Sequence, residues 1–183
     1  MYTQLAQELI QLAEYDLAVR EKLLAEGRLS EGYNPEMEAV HRANAARLQE
    51  IIAEIGWPTR SKVGDEASEA AWLIVQHSIG EPAFMKACYE LMLGMQDDLN
   101  PQNLAYLHDR ICYFEGRPQR YGTQYDTETQ RYPVENKAAV NQLRAELKLP
   151  PLAEASLVEA SGNTVELPQD EEAMAWRKKV GWV

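Results

Sequence analysis

Apolar residues recur along most of this chain at helical spacing. Leu5, Leu9, Leu12, Val19 and Leu23 fall at steps of three and four, with one gap, so residues 3–26 are expected to form a long amphipathic helix. A second stripe, Met37, Val40, Leu48, Ile51 and Ile55, predicts a helix that ends at "GWP", where Gly56 and Pro58 stop it. The stretch "EASEAAWLIVQHSI", residues 66–79, is apolar nearly all round and predicts a central helix buried on several sides. Pro82 opens a further helix carrying Phe84, Cys88, Leu91, Met92 and Met95.

The next segment, "DDLNPQNLAYLHDRICYFEG", is clearly punctuated. Asn100 suits an N-cap, Pro101 the first helical position and Gly116 the C-terminal cap, around the stripe Leu104, Leu107, Ile111 and Phe114. After it, "QRYGTQYD" and "QRYPVE" flank a short polar turn and are expected to pair as a small β-hairpin. Val140, Leu143 and Leu147 return the chain to helix over residues 136–148, until "LPPL" ends it. A looser segment and one short helix, "EEAMAWRKKV", complete the sequence. The expected fold is mostly α: an irregular bundle of about six helices with one hairpin around the Tyr-Gly-Thr-Gln segment. Residues 1–156 are expected to form one helical domain, with 157–183 a C-terminal extension packed on it through Trp176 and Trp182.

Two of the stripes are interrupted by polar groups. On the first helix the face of Leu5, Leu9 and Leu12 runs into Asp16 before Val19, with Arg20 one turn further and in reach of it. On the second, Asn44 stands between Val40 and Leu48. Such groups cost several kcal/mol to bury without partners, roughly 3–5 for a broken ion pair. Each is compatible with a satisfied network that sets helix register; their coincidence points to polar groups meeting in one hollow.

On the central helix His77 follows Ala70 and Ile74, with Gln76 beside it. It is either a core histidine bonded to a carbonyl or a general acid/base, since imidazole is the side chain that exchanges protons near neutrality. His41 borders an arc expected to face solvent, and His108 lies at the Leu107 edge; neither has metal-cluster spacing. Opposite the stripe of the fifth helix lie Tyr106, Asp109, Arg110 and Tyr113. This is a solvated face, or one buried on both sides with Asp109 and Arg110 turned inward.

Composition narrows the partners. The chain has 183 residues and a net charge of −11, which argues against nucleic acid or an anionic membrane surface. No apolar run approaches the ~20 residues of a membrane span, and the acidic, amphipathic start is unlike a secretion signal, so a cytoplasmic protein is expected. Cys88 and Cys112 sit in core-like stripes and are expected to be buried thiols. There is no Gly-x-Ser-x-Gly elbow and no glycine-rich phosphate loop. The oligomeric state is not legible.

The blocks "YDLAVR", "NAARLQEIIAEIGWPTRSKVG", "AAWLIVQHSIGEPAF", "AYLHDR" and "GRPQRYGTQYD" resemble, in order and spacing, a bacterial domain-of-unknown-function family, number 6624. The resemblance runs from about Asp16 to about Leu152 and rests on the Gln-His, Asp-Arg and Tyr-Gly-Thr-Gln blocks taken together. It implies a polar signature at Asp16, Arg20, Asn44, Gln76, His77, Asp109, Arg110, Gln119, Tyr121, Gly122, Thr123 and Gln124. Leu17 departs from the Gln of the first block, and Lys148 stands where a Gly is common. The resemblance implies no reaction.

In the Tyr-Gly-Thr-Gln segment, Gly122 permits close backbone approach or positive φ. Gln119, Thr123 and Gln124 offer donors and acceptors, and Tyr121 a ring with a polar tip. The functional expectation is a pocket for a small polar molecule or peptide, with metal-independent catalysis by His77 as acid/base, Asp109 or Asp16 orienting it, and Arg110 or Arg20 binding an anionic group. The alternatives are a non-catalytic ligand- or protein-binding module, and a metal site of His77 with Asp16 and Asp109. No cofactor or metal is expected.

Overall fold

Asn34 and Pro35 begin a helix as their order requires. The Asn34 side chain accepts from the backbone N–H of Glu36 and Met37, and Pro35 occupies the first helical position. At the far end Gly56 takes φ +70°, and the Lys62 ammonium caps the helix by donating to the carbonyls of Ile55 and Trp57. Trp57 of the "GWP" stop is fully buried. The computed structural model describes residues 1–29, 33–126, 130–162, 164–165 and 171–183, and the protein is mostly α-helical. Its chain divides into two compact units, Met1–Asn100 and Pro101–Val183.

Unit 1 contains α1 (Thr3–Ala25), α2 (Pro35–Ile55), the one-turn α3 (Arg60–Val63), α4 (Asp65–His77) and α5 (Pro82–Leu93). Helices α1, α2 and α4 pack on one another pairwise, and α4 also touches α3 and α5. The all-round apolar character of α4 follows from that central place: Ala67, Ala70, Ala71, Ile74 and Val75 are all buried. Leu9, Leu48, Ile51 and Ile74 are almost completely buried. Val19, Leu23, Met37 and Val40 close one end of α1 and α2, with Tyr33 and Leu29 packed against them. No described helix is long and apolar enough to cross a membrane.

Unit 2 contains α6 (Pro101–Glu115), β1 (Tyr132–Val134), α7 (Val140–Glu146), β2 (Leu157–Glu159) and α8 (Glu171–Val180). The expected hairpin is corrected here. Among the described residues antiparallel pairing is confined to one bridge, Asp126 with Arg131; residues 127–129 between them lie outside the described residues. The strand after it pairs instead in parallel with Leu157–Glu159, and Gln119 bridges Val134 in parallel. Val134, Val140 and Leu157 form a small core there, which explains why Val134 seeks the later segment. Trp176 of α8 and Trp182 just beyond it lie against the Phe114 ring, and the buried Arg177 donates to the carbonyls of Tyr113 and Phe114. Cys88 and Cys112 are buried free thiols, and burial pushes the Cys88 thiol up to about 12.

Helix α7 ends in a Schellman turn. Leu149 N–H bonds the Arg144 carbonyl, Lys148 N–H bonds that of Ala145, and Lys148 takes φ +56°. A side chain in that left-handed conformation is strained by about 1–2 kcal/mol, which glycine avoids. Lys148→Gly is therefore expected to raise the urea unfolding free energy by about 1 kcal/mol; no gain would show that the turn is not strained.

Candidate functional site

Because α1, α2 and α4 share one core, residues facing their common axis meet. Asp16 of α1, only 1% exposed, is met there by His41 of α2 and by His77, the last residue of α4. His77 Nδ1 lies 3.0 Å from both Asp16 oxygens. His41 Nε2 lies 3.3 Å from Asp16 Oδ2, close enough for attraction but off the line of a hydrogen bond. The two rings are tilted, with centroids 5.2 Å apart. Behind His41, its Nδ1 is 2.7 Å from the Tyr33 hydroxyl, and those two rings stack. Burial drives the Asp16 carboxyl upward, but the two imidazoles outweigh it and hold it at about 2, so Asp16 is a carboxylate. Burial also raises the Tyr33 phenol well above its ordinary value. One turn along, the buried Asn44 donates to the Leu12 carbonyl, tying α2 to α1.

A second buried carboxylate, Asp109 of α6, is satisfied differently. Its Oδ1 accepts from the backbone N–H of Arg120 and lies 3.1 Å from His108 Nδ1. Its Oδ2 accepts from the N–H groups of Tyr121 and Thr123 and from the Thr123 hydroxyl. The Gln119 side chain grips the backbone of Gln124 from both edges, and Arg110 donates to the Gln124 side chain. From the other side Arg144 donates to the carbonyls of Tyr121 and Gly122. Gly122 takes φ +63°, and a Cβ there would stand 2.9 Å from Leu152 Cδ1. The glutamines, threonine and glycine of this segment thus fold it onto α6; their polar groups are spent on the loop itself.

The residues singled out from sequence therefore fall into two groups. Asp16, Arg20, Asn44, Gln76 and His77 belong to unit 1; Asp109, Arg110, Gln119, Tyr121, Gly122, Thr123 and Gln124 belong to unit 2. The structure brings Asp16 to His77, with Asn44 a turn away. Arg20, expected beside Asp16, is exposed, and imidazoles take its place. Gln76 is buried. The residues missed are His41 and Tyr33. His41 was placed on a solvent-facing arc, yet it is buried; its spacing of four from Met37, three to Asn44 and seven to Leu48 was the available signal. Tyr33 precedes the helix and carried none. Two clefts open elsewhere: about 250 Å³ beside Leu17 and Trp72 in unit 1, and about 520 Å³ beside Arg131 and Val158 in unit 2. No predicted site residue lines either.

A helical protein with a buried His–Asp–His cluster is the class these observations define. Residues 3–165 match the family described as "Family of unknown function (DUF6624)", and the chain belongs to it. No curated protein and no solved structure matches the chain.

His108 supplies a test of the second carboxylate. Burial opposes its charge, but the Asp109 carboxylate, together with the Cys112 sulfur beside the ring, outweighs this and raises the imidazole to about 9. A folded-state value above the unfolded one of about 6.5 makes this stabilisation complete below pH ~6.5 and lost as pH rises through ~9. Urea unfolding is expected to lose roughly 1–3 kcal/mol between those limits in the wild type, and markedly less in His108→Gln. Equal slopes in the two proteins would refute the pairing.

Proposed function

We propose that the cluster of Asp16, His41 and His77 is the protein's functional centre, and that a small polar molecule docks on its His77 side. One observation carries this: ionisable groups from three helices converge in a core where packed apolar side chains would be equally or more stabilising. His77 is the half-buried member, its side chain 23% exposed, while Asp16 and His41 are buried behind it. Asp16 claims Nδ1 of His77, which leaves Nε2 for a ligand.

In its metal-free form the centre is an acid/base pair: His77 exchanges a proton with the ligand, while Asp16 holds the ring's tautomer and balances its charge. Asp16 then fills the orienting role that sequence shared between it and Asp109, whose oxygens are taken up by His108 and the 120–123 backbone. A binding module would use the same cluster without turnover.

Thermal-shift screening of small polar compounds against wild type and His77→Ala is the test. A compound at about 100 times its dissociation constant stabilises the wild type by about 2.7 kcal/mol, and that shift is expected to vanish in His77→Ala. Equal shifts in both proteins would place the ligand elsewhere. His77→Gln that keeps affinity would favour the binding module.

A further inference from the structure

We infer that Asp16, His41 and His77 bind one divalent transition-metal ion of the zinc class, with Tyr33 as the positioning residue behind His41. This rests on the cluster being the functional centre and goes further by naming its occupant.

The donor set comes first. One carboxylate oxygen and two imidazole nitrogens lie within 4.8 Å of one another. A tetrahedral ion with bonds of about 2.0–2.1 Å requires donor separations of about 3.3 Å. Measured to the single oxygen Oδ2, His77 Nδ1 at 3.0 Å and His41 Nε2 at 3.3 Å lie close to that edge. Two nitrogens and one oxygen suit zinc, iron, cobalt or nickel, whereas calcium and magnesium favour all-oxygen shells. Asp16 is an ionised ligand, and no Arg or Lys pairs with it among the described residues.

The second observation is independent of that count. His41 is 9% exposed, and its Nε2 is buried without a hydrogen-bond partner although it faces a carboxylate oxygen. Tyr33 explains the orientation. If its hydroxyl accepts from the Nδ1–H of a neutral ring, Nε2 presents a lone pair to Asp16, lone pair against lone pair. If the hydroxyl donates instead, the Nε2–H points off the line to Oδ2. In neither neutral tautomer, nor in the imidazolium whose Nε2–H points the same way off the line to Oδ2, does the protein alone satisfy this nitrogen. A cation between Nε2 and Oδ2 does, and a hydrogen bond to the far nitrogen is how metal-binding histidines are held.

Tyr33 is itself fixed in place. Its ring packs on the Val19–Leu23–Met37–Val40 cluster, and a Cβ on Gly80 would come within 3.3 Å of its Cε1. The turn after α4 therefore lies close against Tyr33, so the ring and His41 are held before any ion arrives. With three protein donors, and His77 the member nearest solvent, the remaining coordination position faces the ligand side. His77 then gives its Nδ1 lone pair to the ion in place of the hydrogen bond to Asp16, and the small polar molecule meets the ion.

The full chain, stripped with chelator and dialysed against Zn²⁺ and then buffer, is expected to retain one zinc per chain by elemental analysis. His41→Gln and His77→Gln are expected to lose it while circular dichroism stays helical. Tyr33→Phe is expected to weaken binding 10–100-fold. Co²⁺ in place of zinc is expected to give visible absorption bands in the wild type that both glutamine variants lack. Zinc retained equally by wild type and the glutamine variants would mean binding at surface carboxylates and would overturn the site, as would a wild type that retains none; an unchanged Tyr33→Phe would overturn the role of Tyr33. Compound shifts that depend on His77 in a protein without metal would sink the metal and leave the polar-ligand centre standing. A retained zinc with no compound shift would do the reverse.

Discussion

The ionised carboxylate of Asp16, removed from water within a three-helix core, is the constraint around which unit 1 is arranged. A charge in that position must be met from neighbouring helices: α4 brings His77 Nδ1 to hydrogen-bond distance, and α2 brings the His41 ring to 3.3 Å. The contact fixes more than electrostatics. It sets the rotation of α1 against α2, which Asn44 repeats one turn along by bonding the Leu12 carbonyl. It also places the end of α4 at the same level, so that the turn carrying Gly80 closes over Tyr33. Apolar packing by Leu9, Leu48 and Ile74 would tolerate several helix rotations; a buried carboxylate with two ring partners tolerates few.

The two buried carboxylates make an instructive pair. Asp109 receives backbone N–H groups and a hydroxyl from one loop, with His108 beside them, and its work is to hold residues 119–124 on α6. Asp16 receives only side chains that change protonation or bind metals, one of which keeps a nitrogen unsatisfied. Burial is the same in both. What separates a folding device from a chemical one is whether one loop's own backbone satisfies the carboxylate, and among these two only Asp109 is held in that way. The Tyr-Gly-Thr-Gln segment is polar because it replaces regular pairing with side-chain-to-backbone bonds. Gln119 does for Gln124 what a neighbouring strand would do, and Arg144 takes up the carbonyls left over.

Helices were legible because a 3.6-residue period repeats many times over: α1, α2, α4, α5 and α6 begin and end within a few residues of their predicted bounds. Local chemistry carried the stops as well, through Gly56 and Gly116. Asp16 and Asn44 stood out as breaks in otherwise apolar stripes. The hairpin was misjudged because two short flanking runs look alike whether they pair with each other or with a segment 25 residues later. Leu157 and Val134 reach one small core together, and nothing local announces that.

By itself the sequence determined the helical class, the helix boundaries and the presence of hydrophilic groups on inward faces, since each of these depends on residues within a turn or two of one another. Tertiary structure alone decided which groups meet. His41 is paired with Asp16 across 25 positions and His77 across 61, and helix rotation, a property of packing between elements, selects them. The same is true of Tyr33, which acquires its role only once α2 and the turn after α4 close around it.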